Sequence, residues 1–539
     1  MRRLTALLRQ RLRRDWLQLL LWILGTALMA YAGYAGVTQS YGTVTDRQSI
    51  LAAALANPVI LMFRGLPSGT SEGAFLAFEV LPWLAILAAL MSTFLAVRHT
   101  RADEEAGRAE LLSATPASRT MPTVATIVHG VLANVVLGVL SALALISTGL
   151  DPQGSWIAGA AAGATGIAFV GIGLVAAQLM RTSRAANSLT IWVLVATFLL
   201  RGIGNAAGTP SNDLTHMTSL WVAWISPFAW AEQSRPFDAD TWWPVLLGIA
   251  VGLVLAIGST WLQSVRDMGA SFFAGRQGRA HAHPALSSSH ALVWRLASGS
   301  IIGWAVGGAI VGILATTLGS LVDQISGGNP AVAQILEKLA QGGSLEESVV
   351  TIFFTMLGII AACCAVQTVV RARQEEAHGT AEPILATRVG RVRWLADYLL
   401  VATAAVLIVV AAAVLTAFVG IASQNGASTL YRASLVTGAG EFVAASVFTV
   451  VTALVFVLLP RATIGIGWAL VLVATLFGMF GPLFGMPEWT TRVSPFGVTP
   501  IISGGHVDVR GLWWLVAIVV VGAAASLTLQ RRRQLAADG

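Results

Sequence analysis

The chain is 539 residues long, 56% hydrophobic and only 11% charged, whereas a soluble globular protein is charged at about a quarter of its positions, so a soluble fold is excluded. The net charge of +7 is carried almost entirely by arginine, with Lys338 the single lysine. In a soluble protein that excess would point to nucleic acid; in so apolar a chain it has first to be set against membrane topology.

Arg2, Arg3, Arg9, Arg11, Arg13 and Arg14 precede an apolar run over 16–36. Ala30-Tyr31-Ala32 has the look of a signal-peptide cleavage site, but the run is too long for a signal core. A basic amphipathic helix over 1–15 followed by a first transmembrane helix is expected. Apolar runs of about 20 residues or more, long enough to cross the hydrocarbon core, recur near 76–97, 121–148, 155–180, 187–206, 243–264, 297–319, 349–370, 394–421, 436–460, 463–486 and 512–530, making twelve with the first. Cys363 and Cys364 adjoin inside one of them and read as packing residues, without a disulfide framework.

If the N-terminus is inside, the inside segments hold 25 basic residues and the outside segments 8. A ratio near three to one places both termini in the cytoplasm. Topology thus accounts for the basic balance, and nucleic acid is not needed.

The two halves repeat at an offset of about 270. Asn57-Pro58 returns as Asn329-Pro330, Ser226-Pro227-Phe228 as Ser494-Pro495-Phe496, and Trp242-Trp243 as Trp513-Trp514. With six spans in each half, the copies share one orientation, as parallel repeats about an axis along the membrane normal. The expected organisation is a cytoplasmic helix (1–15), a first six-helix half (16–264), a linker (265–295), a second half (296–530) and a tail (531–539). The linker carries His281, His283 and His290 in a Ser-rich setting with no nearby carboxylate or thiol, and no metal is assigned to it.

The chain has no GxxxxGK[ST], no His-Glu-x-x-His, no Gly-x-Ser-x-Gly and no pair of carboxylates within a span. No catalytic, cofactor or metal residues are assigned. Ionisable residues in spans are few: Glu79, Glu441 and Arg201 lie near expected outer ends and Asp397 near an inner end, where snorkelling would bring each to headgroups or water; a coupling-ion role for Glu79 or Glu441 is the alternative to an interfacial one.

One charged segment occurs twice, at the same point of each half. Glu104-Glu105-Ala106 answers Glu375-Glu376-Ala377, Ala109-Glu110 answers Ala381-Glu382, Ala114-Thr115 answers Ala386-Thr387, and Arg119 answers Arg391. Helical spacing would pair Arg101 with Glu105 and Glu104 with Arg108. Gly107 and Gly379 allow a break before a short second segment bearing one glutamate and apolar neighbours, Glu110 with Leu111 and Glu382 with Ile384. Pro116 closes the first copy. Topology explains arginines on this side of the membrane but not the clustered acids, Asp103 among them. Two equivalent acidic-apolar knobs suit docking of two equivalent soluble subunits, through Arg101, Asp103, Glu104, Glu105, Arg108, Glu110 and Leu111 in the first and Arg371, Gln374, Glu375, Glu376, Glu382 and Ile384 in the second.

With its basic leading helix, six spans, Arg-x-x-Glu-Glu-Ala-Gly-Arg-Ala-Glu-Leu-Leu after the second and Ser-Pro-Phe before the sixth, all repeated, the chain resembles the fused permease subunits of ABC-2-type exporters. The likeness is to the actinobacterial exporter-of-polyketide-antibiotics, or tetronasin-resistance-like, group. The resemblance implies an all-α polytopic pseudo-dimer of type V exporter fold in the bacterial plasma membrane. It makes the hairpins coupling helices, and 207–242 and 487–511 outer re-entrant segments around Ser226, Pro227, Phe228, Ser494, Pro495 and Phe496. It implies export of hydrophobic drug- or polyketide-like molecules, driven by ATP and Mg bound on two copies of a separate ATPase. A cavity is implied between spans two and five of one half and eight and eleven of the other, with Phe94, Trp192, Phe198, Phe354, Met356 and Phe477 as candidate linings. The second hairpin departs from the first in Gln374, an inserted His378 and Pro383 at the place of Leu111, so unequal docking sites are expected. The rival readings are an ion-coupled secondary drug transporter, which would bury acidic groups in its spans, and a non-transporting scaffold, which would carry a larger soluble domain.

Overall fold

The computed structural model of the protein describes residues 2–56, 58–113, 118–267, 269–272, 287–317, 345–423, 428–480, 488–503 and 506–533. Among them, twelve helices are long and apolar enough to cross a membrane, and the strands are limited to two short hairpins. The protein is an all-α polytopic membrane protein. The chain divides into two compact units, Met1–Gly278 and Arg279–Gly539, each with six of these helices.

In the first unit, the basic segment and the first span form one uninterrupted helix, Arg2–Ser40, which at 1.5 Å per residue is about 58 Å long. Nothing between Arg14 and Trp16 breaks helical geometry, so the expected separate leading helix does not occur. Short helices Val44–Ala56 and Pro58–Phe63 lead to the second span, Glu72–Arg98, whose Ser71 hydroxyl accepts from the Ala74 amide at 3.1 Å. The third span, Met121–Ile146, is followed by the fourth, Pro152–Leu179, which starts from an Asp151 cap and a first-turn proline.

The fourth span is the post of this unit, packed against the second, third, fifth (Ser183–Ala206) and sixth (Trp243–Val265). Lipid tails are as apolar as leucine, so what draws helices together in a membrane is close backbone approach, which small side chains permit. A Cβ on Gly159 would overlap the Gly138 carbonyl of the third span. Between the fifth and sixth spans, a two-residue strand pair, a 3-10 turn at Trp221–Ile225 and the helix Pro227–Gln233 tuck back into the bundle.

The second unit repeats this plan, with longer second, third and fourth spans. Its spans are Ser289–Thr317, Leu345–Ala377, Arg391–Ser423, Ser428–Leu458, Thr463–Thr475 and Arg510–Gln530. Helices outrun the apolar stretches that mark them because the backbone goes on pairing with itself through polar residues. Ser428–Leu458 is the post here, touching each of the other spans except the first of the unit by close packing. The fifth span of this unit ends in a wider turn at Leu476–Phe480, and Ser494 then starts a single turn, Pro495–Gly497. Asn329-Pro330, Lys338, Pro116, His281 and His283 lie outside the described residues.

Candidate functional site

Each hairpin grows out of the end of its unit's second span. In the first unit that helix stops at Arg98, and Thr100 leaves helical geometry (φ −125, ψ −87) before a new turn, Arg101–Glu105. In the second unit the helix runs unbroken through to Ala377. The difference has a local origin: two more residues separate Val-Arg from Glu-Glu-Ala in the first copy than in the second. Both hairpins then turn at a glycine in the left-handed region, Gly107 at φ +69 and Gly379 at φ +71, and start a second short helix, Arg108–Ser113 or Ala381–Leu385.

The turn at Gly107 removes the helical spacing on which the expected Glu104–Arg108 pair depended. Arg101 pairs with Glu104 at 2.6 Å, not with Glu105, and Arg108 folds back onto Asp103 at 2.7 Å. Arg101 is buried and donates to the Met180 carbonyl at 2.7 Å and the Ala270 carbonyl at 2.7 Å. Glu104 also receives Arg266, from just beyond the sixth span, at 2.6 Å. Arg14 of the first helix reaches Asp103 at 3.1 Å, and Glu105 accepts from the Ser183 hydroxyl. These groups bolt the hairpin to its own bundle. What it turns outward is Glu105, Arg108, Glu110 and Leu111, the last 74% exposed.

The second hairpin is tied in the same way by a different acid. Glu376 is buried and receives Arg533, from beyond the last span, through both carboxylate oxygens at 2.7 and 2.8 Å. Arg373 lies 3.8 Å from it, and the Arg533 guanidinium sits 4.3 Å over the Phe456 ring. Arg371 holds the Leu296 carbonyl at 2.6 Å and lies 4.0 Å from Glu375. Gln374, Glu382 and Pro383 are exposed, while Ile384 is half-buried against the core. Arg266 and Arg533 were not singled out by the sequence reading, although their shared position just after the last span of each half was visible.

A second polar cluster lies beside the first hairpin. Asp15, His99 and His129, from the first three spans, are all buried, with ligand-type atoms within 4.8 Å of one another. His99 Nε2 meets Asp15 directly, His129 Nε2 is 3.4 Å from the same oxygen, and Arg98 is 3.3 Å from the other. These three residues could hold a metal ion. The adjacent arginine already supplies a positive partner, so the arrangement stands as an ion-paired strut among three helices. In the second unit, His290 lies 3.6 Å from Asp397, which also accepts from the Ser289 hydroxyl.

At the far end of each bundle the Ser-Pro-Phe segments behave alike. Ser226 accepts from the Phe228 amide at 3.2 Å and Ser494 from the Phe496 amide at 3.3 Å, each followed by a first-turn proline. Phe228 lies against Phe198 and Phe169, and Phe496 stacks on Phe448 at 5.4 Å. Arg201 does not snorkel: with no exposure, it pairs with Glu232 at 2.5 Å and donates to the carbonyls of Arg64 at 2.7 Å and Met62 at 2.6 Å. Asn205 donates to the other Glu232 oxygen at 2.8 Å. Glu441 does not snorkel either, being completely buried, whereas Glu79 pairs with Arg64. Among the six apolar candidates, Trp192 (66%) and Met356 (38%) are exposed on their units. Phe94 and Phe477 are half-buried, and Phe198 and Phe354 are enclosed in packed cores.

The chain matches the family model described as multidrug efflux system permease Rv1217c, C-terminal domain, over residues 6–262 and 286–531. It is 33% identical over 536 residues to the multidrug efflux system permease protein Rv1217c of Mycobacterium tuberculosis (strain ATCC 25618 / H37Rv), with 96% of this chain and 94% of that protein covered.

Proposed function

The chain belongs to this family of multidrug efflux permeases, and on that premise we propose that it is the membrane subunit of an ATP-driven exporter of hydrophobic, drug- or polyketide-like molecules. It is a permease and not itself the ATPase: two copies of a separate ABC ATPase, carrying the ATP and Mg, dock on the two hairpins. The observation that carries this reading is the division of labour within each hairpin. One acid, Glu104 or Glu376, is spent on an internal arginine, while the short helix after the glycine turns a glutamate and a neighbouring apolar or proline residue outward, Glu110 with Leu111 and Glu382 with Pro383. A hairpin bolted to its bundle at one end and exposed at the other can pass a push from a bound subunit into the second span.

In this reading both termini and both hairpins face the cytoplasm of a bacterial cell, as the arginine asymmetry supports. The proposed organisation is a cytoplasmic basic end of the first helix (1–15), a first half (16–264), a linker (265–295), a second half (296–530) and a tail (531–539). Trp192 and Met356 are the proposed substrate contacts; Phe94 and Phe477, half-buried, are the next candidates, and the enclosed Phe198 and Phe354 set helix positions.

Co-purification with the ATPase tests the proposal. Wild type is expected to bring down two ATPases per chain. Glu110→Lys with Leu111→Asp, and Glu382→Lys in the second half, are expected to lose them while the permease elutes as a folded species. If no ATPase associates, and the purified chain alone moves a drug against a proton gradient, the ion-coupled alternative replaces this reading.

A further inference from the structure

Each unit buries one glutamate against its Ser-Pro-Phe segment, and the two are treated differently. In the first unit Glu232 has Arg201 at 2.5 Å and Asn205 at 2.8 Å. In the second, Glu441 sits on the post helix Ser428–Leu458 with zero exposure, and neither carboxylate oxygen has a hydrogen-bond partner among the described residues. The Thr499 hydroxyl is the polar group it faces. A fully buried carboxylate with no cationic partner and only hydroxyl groups beside it is too costly to persist as a bare anion. Something positive must accompany it, and an ionisable group inside a membrane helix marks a functional site by default.

The surrounding charges do not supply it. The post packs against Leu345–Ala377, Arg391–Ser423, Pro460–Ala462, Thr463–Thr475, Pro495–Gly497 and Arg510–Gln530. Charged side chains on these elements cluster at the ends: Arg371, Arg373, Glu375, Glu376, Arg391, Arg393, Asp397 and Arg461 toward the hairpin, and Glu347 and Arg510 toward the opposite end, with Thr463–Thr475 and Pro495–Gly497 carrying none. Asp397 is engaged by Ser289 and His290, and Glu376 by Arg533. Cys363 and Cys364 are the titratable residues at intermediate height. Arg432, nine residues up the same helix, is exposed.

Space restricts the ligand further. Gly358 of the neighbouring helix backs directly onto Glu441, and a Cβ there would overlap Oε2. A hydrated or organic cation needs room that this packing lacks; a proton needs none. Moreover, Glu441 belongs to a stripe. Ser434, Thr437, Glu441 and Thr449 fall at spacings of three, four and eight, on one face of the helix. All four are buried with side-chain oxygens lacking a partner. At 1.5 Å per residue the stripe runs about 22 Å, most of a hydrocarbon core about 30 Å thick. On the post of the first unit the hydroxyls bond back instead, Ser155 to the Asp151 carbonyl at 2.7 Å and Thr165 to the Ala161 carbonyl at 3.0 Å.

From the juxtaposition of Glu441 with the glycine face at Gly358 and the unpaired hydroxyls of Ser434 and Thr437, we propose that Glu441 is a proton-binding site of the second half, loaded along that hydroxyl stripe. The site does not rest on ATP being the energy source, and its test reads the carboxyl group itself.

The test is infrared difference spectroscopy of the full chain in lipid nanodiscs at neutral pH. Wild type minus Glu441→Gln is expected to show a carboxylic-acid carbonyl band that shifts in D2O, and Thr437→Val is expected to slow that deuterium shift several-fold. Glu382→Gln, at an exposed position, serves as the control and should leave the band in place. A difference confined to ionised-carboxylate bands overturns the proposal, as does sodium-dependent thermal stabilisation that Glu441→Gln abolishes, since the site would then hold another cation. An unchanged exchange rate in Thr437→Val overturns the stripe as the route. If Glu441→Gln does not fold, Glu441→Asp keeps the acid and must move the band rather than remove it.

Discussion

Replacing Glu232 by leucine should be among the most damaging single changes in the first unit, and a second change should repair it. Arg201 has no exposure and Glu232 4%, so both charges are fully desolvated. With Glu232→Leu, Arg201 keeps its carbonyl partners at Arg64 and Met62 but loses its counter-charge, and the Asn205 amide loses its acceptor. Stranding one member of a buried ion pair costs about 3–5 kcal/mol. The unpaired amide adds about 1–3 kcal/mol at most, not additively, because the two share one partner. Removing both charges, Arg201→Met with Glu232→Leu, leaves nothing to desolvate and should return most of the loss. Thermal unfolding of purified protein, followed by the combined intrinsic fluorescence of its 18 tryptophans, gives the readout. The reasoning fails if Glu232→Leu unfolds at the wild-type temperature, or if the double variant is as unstable as the single one.

The two hairpin ties should differ in strength. Arg533→Gln leaves Glu376 with Arg373 at 3.8 Å, whereas Arg266→Gln leaves Glu104 with Arg101 at 2.6 Å. The first should therefore cost about 3 kcal/mol or more and the second nearer 1, with proteolysis within each hairpin rising in the same order. Gly159→Leu drives a side chain into the Gly138 carbonyl, and backbone cannot yield as a flexible side chain can. The loss should exceed the usual 1–3 kcal/mol of overpacking and appear as poor recovery of folded protein by size-exclusion chromatography. Gly107→Ala, in the left-handed region with open space around it, should cost only about 1 kcal/mol and leave efflux close to wild type.

Helix number and rough position were legible because crossing a bilayer demands about 20 apolar residues in a row, a signal each span carries alone. Charge pairing was not, because it depends on which helices meet. Arg201 read as a snorkelling residue since its partner Glu232 lies in a segment between spans, out of reach of any hydropathy window. Glu441 seemed close to a span end because Ser428, Thr429 and Arg432 look like loop, yet the helix starts at Ser428 and places Glu441 well inside. Asp15, His99 and His129 are scattered over more than a hundred positions and share a site only after three helices have packed. The hairpins were located by their repeated acids, but the glycine that makes the repeat recognisable also breaks the spacing that would pair Glu104 with Arg108.

Neighbouring residues on a helix point about 100° apart. The first half fastens Glu104, the leading acid of its Glu-Glu pair, and the second fastens Glu376, the trailing one. The fastening is thus present in both halves, while the adjacent residue that serves as the bolt differs. If two copies of one ATPase dock on the hairpins as proposed, each engages a mount fastened at a different residue, so the push delivered to one half need not equal that delivered to the other. A transporter fused from two copies of one gene can in this way acquire a lead side and a follow side without any change in the motor.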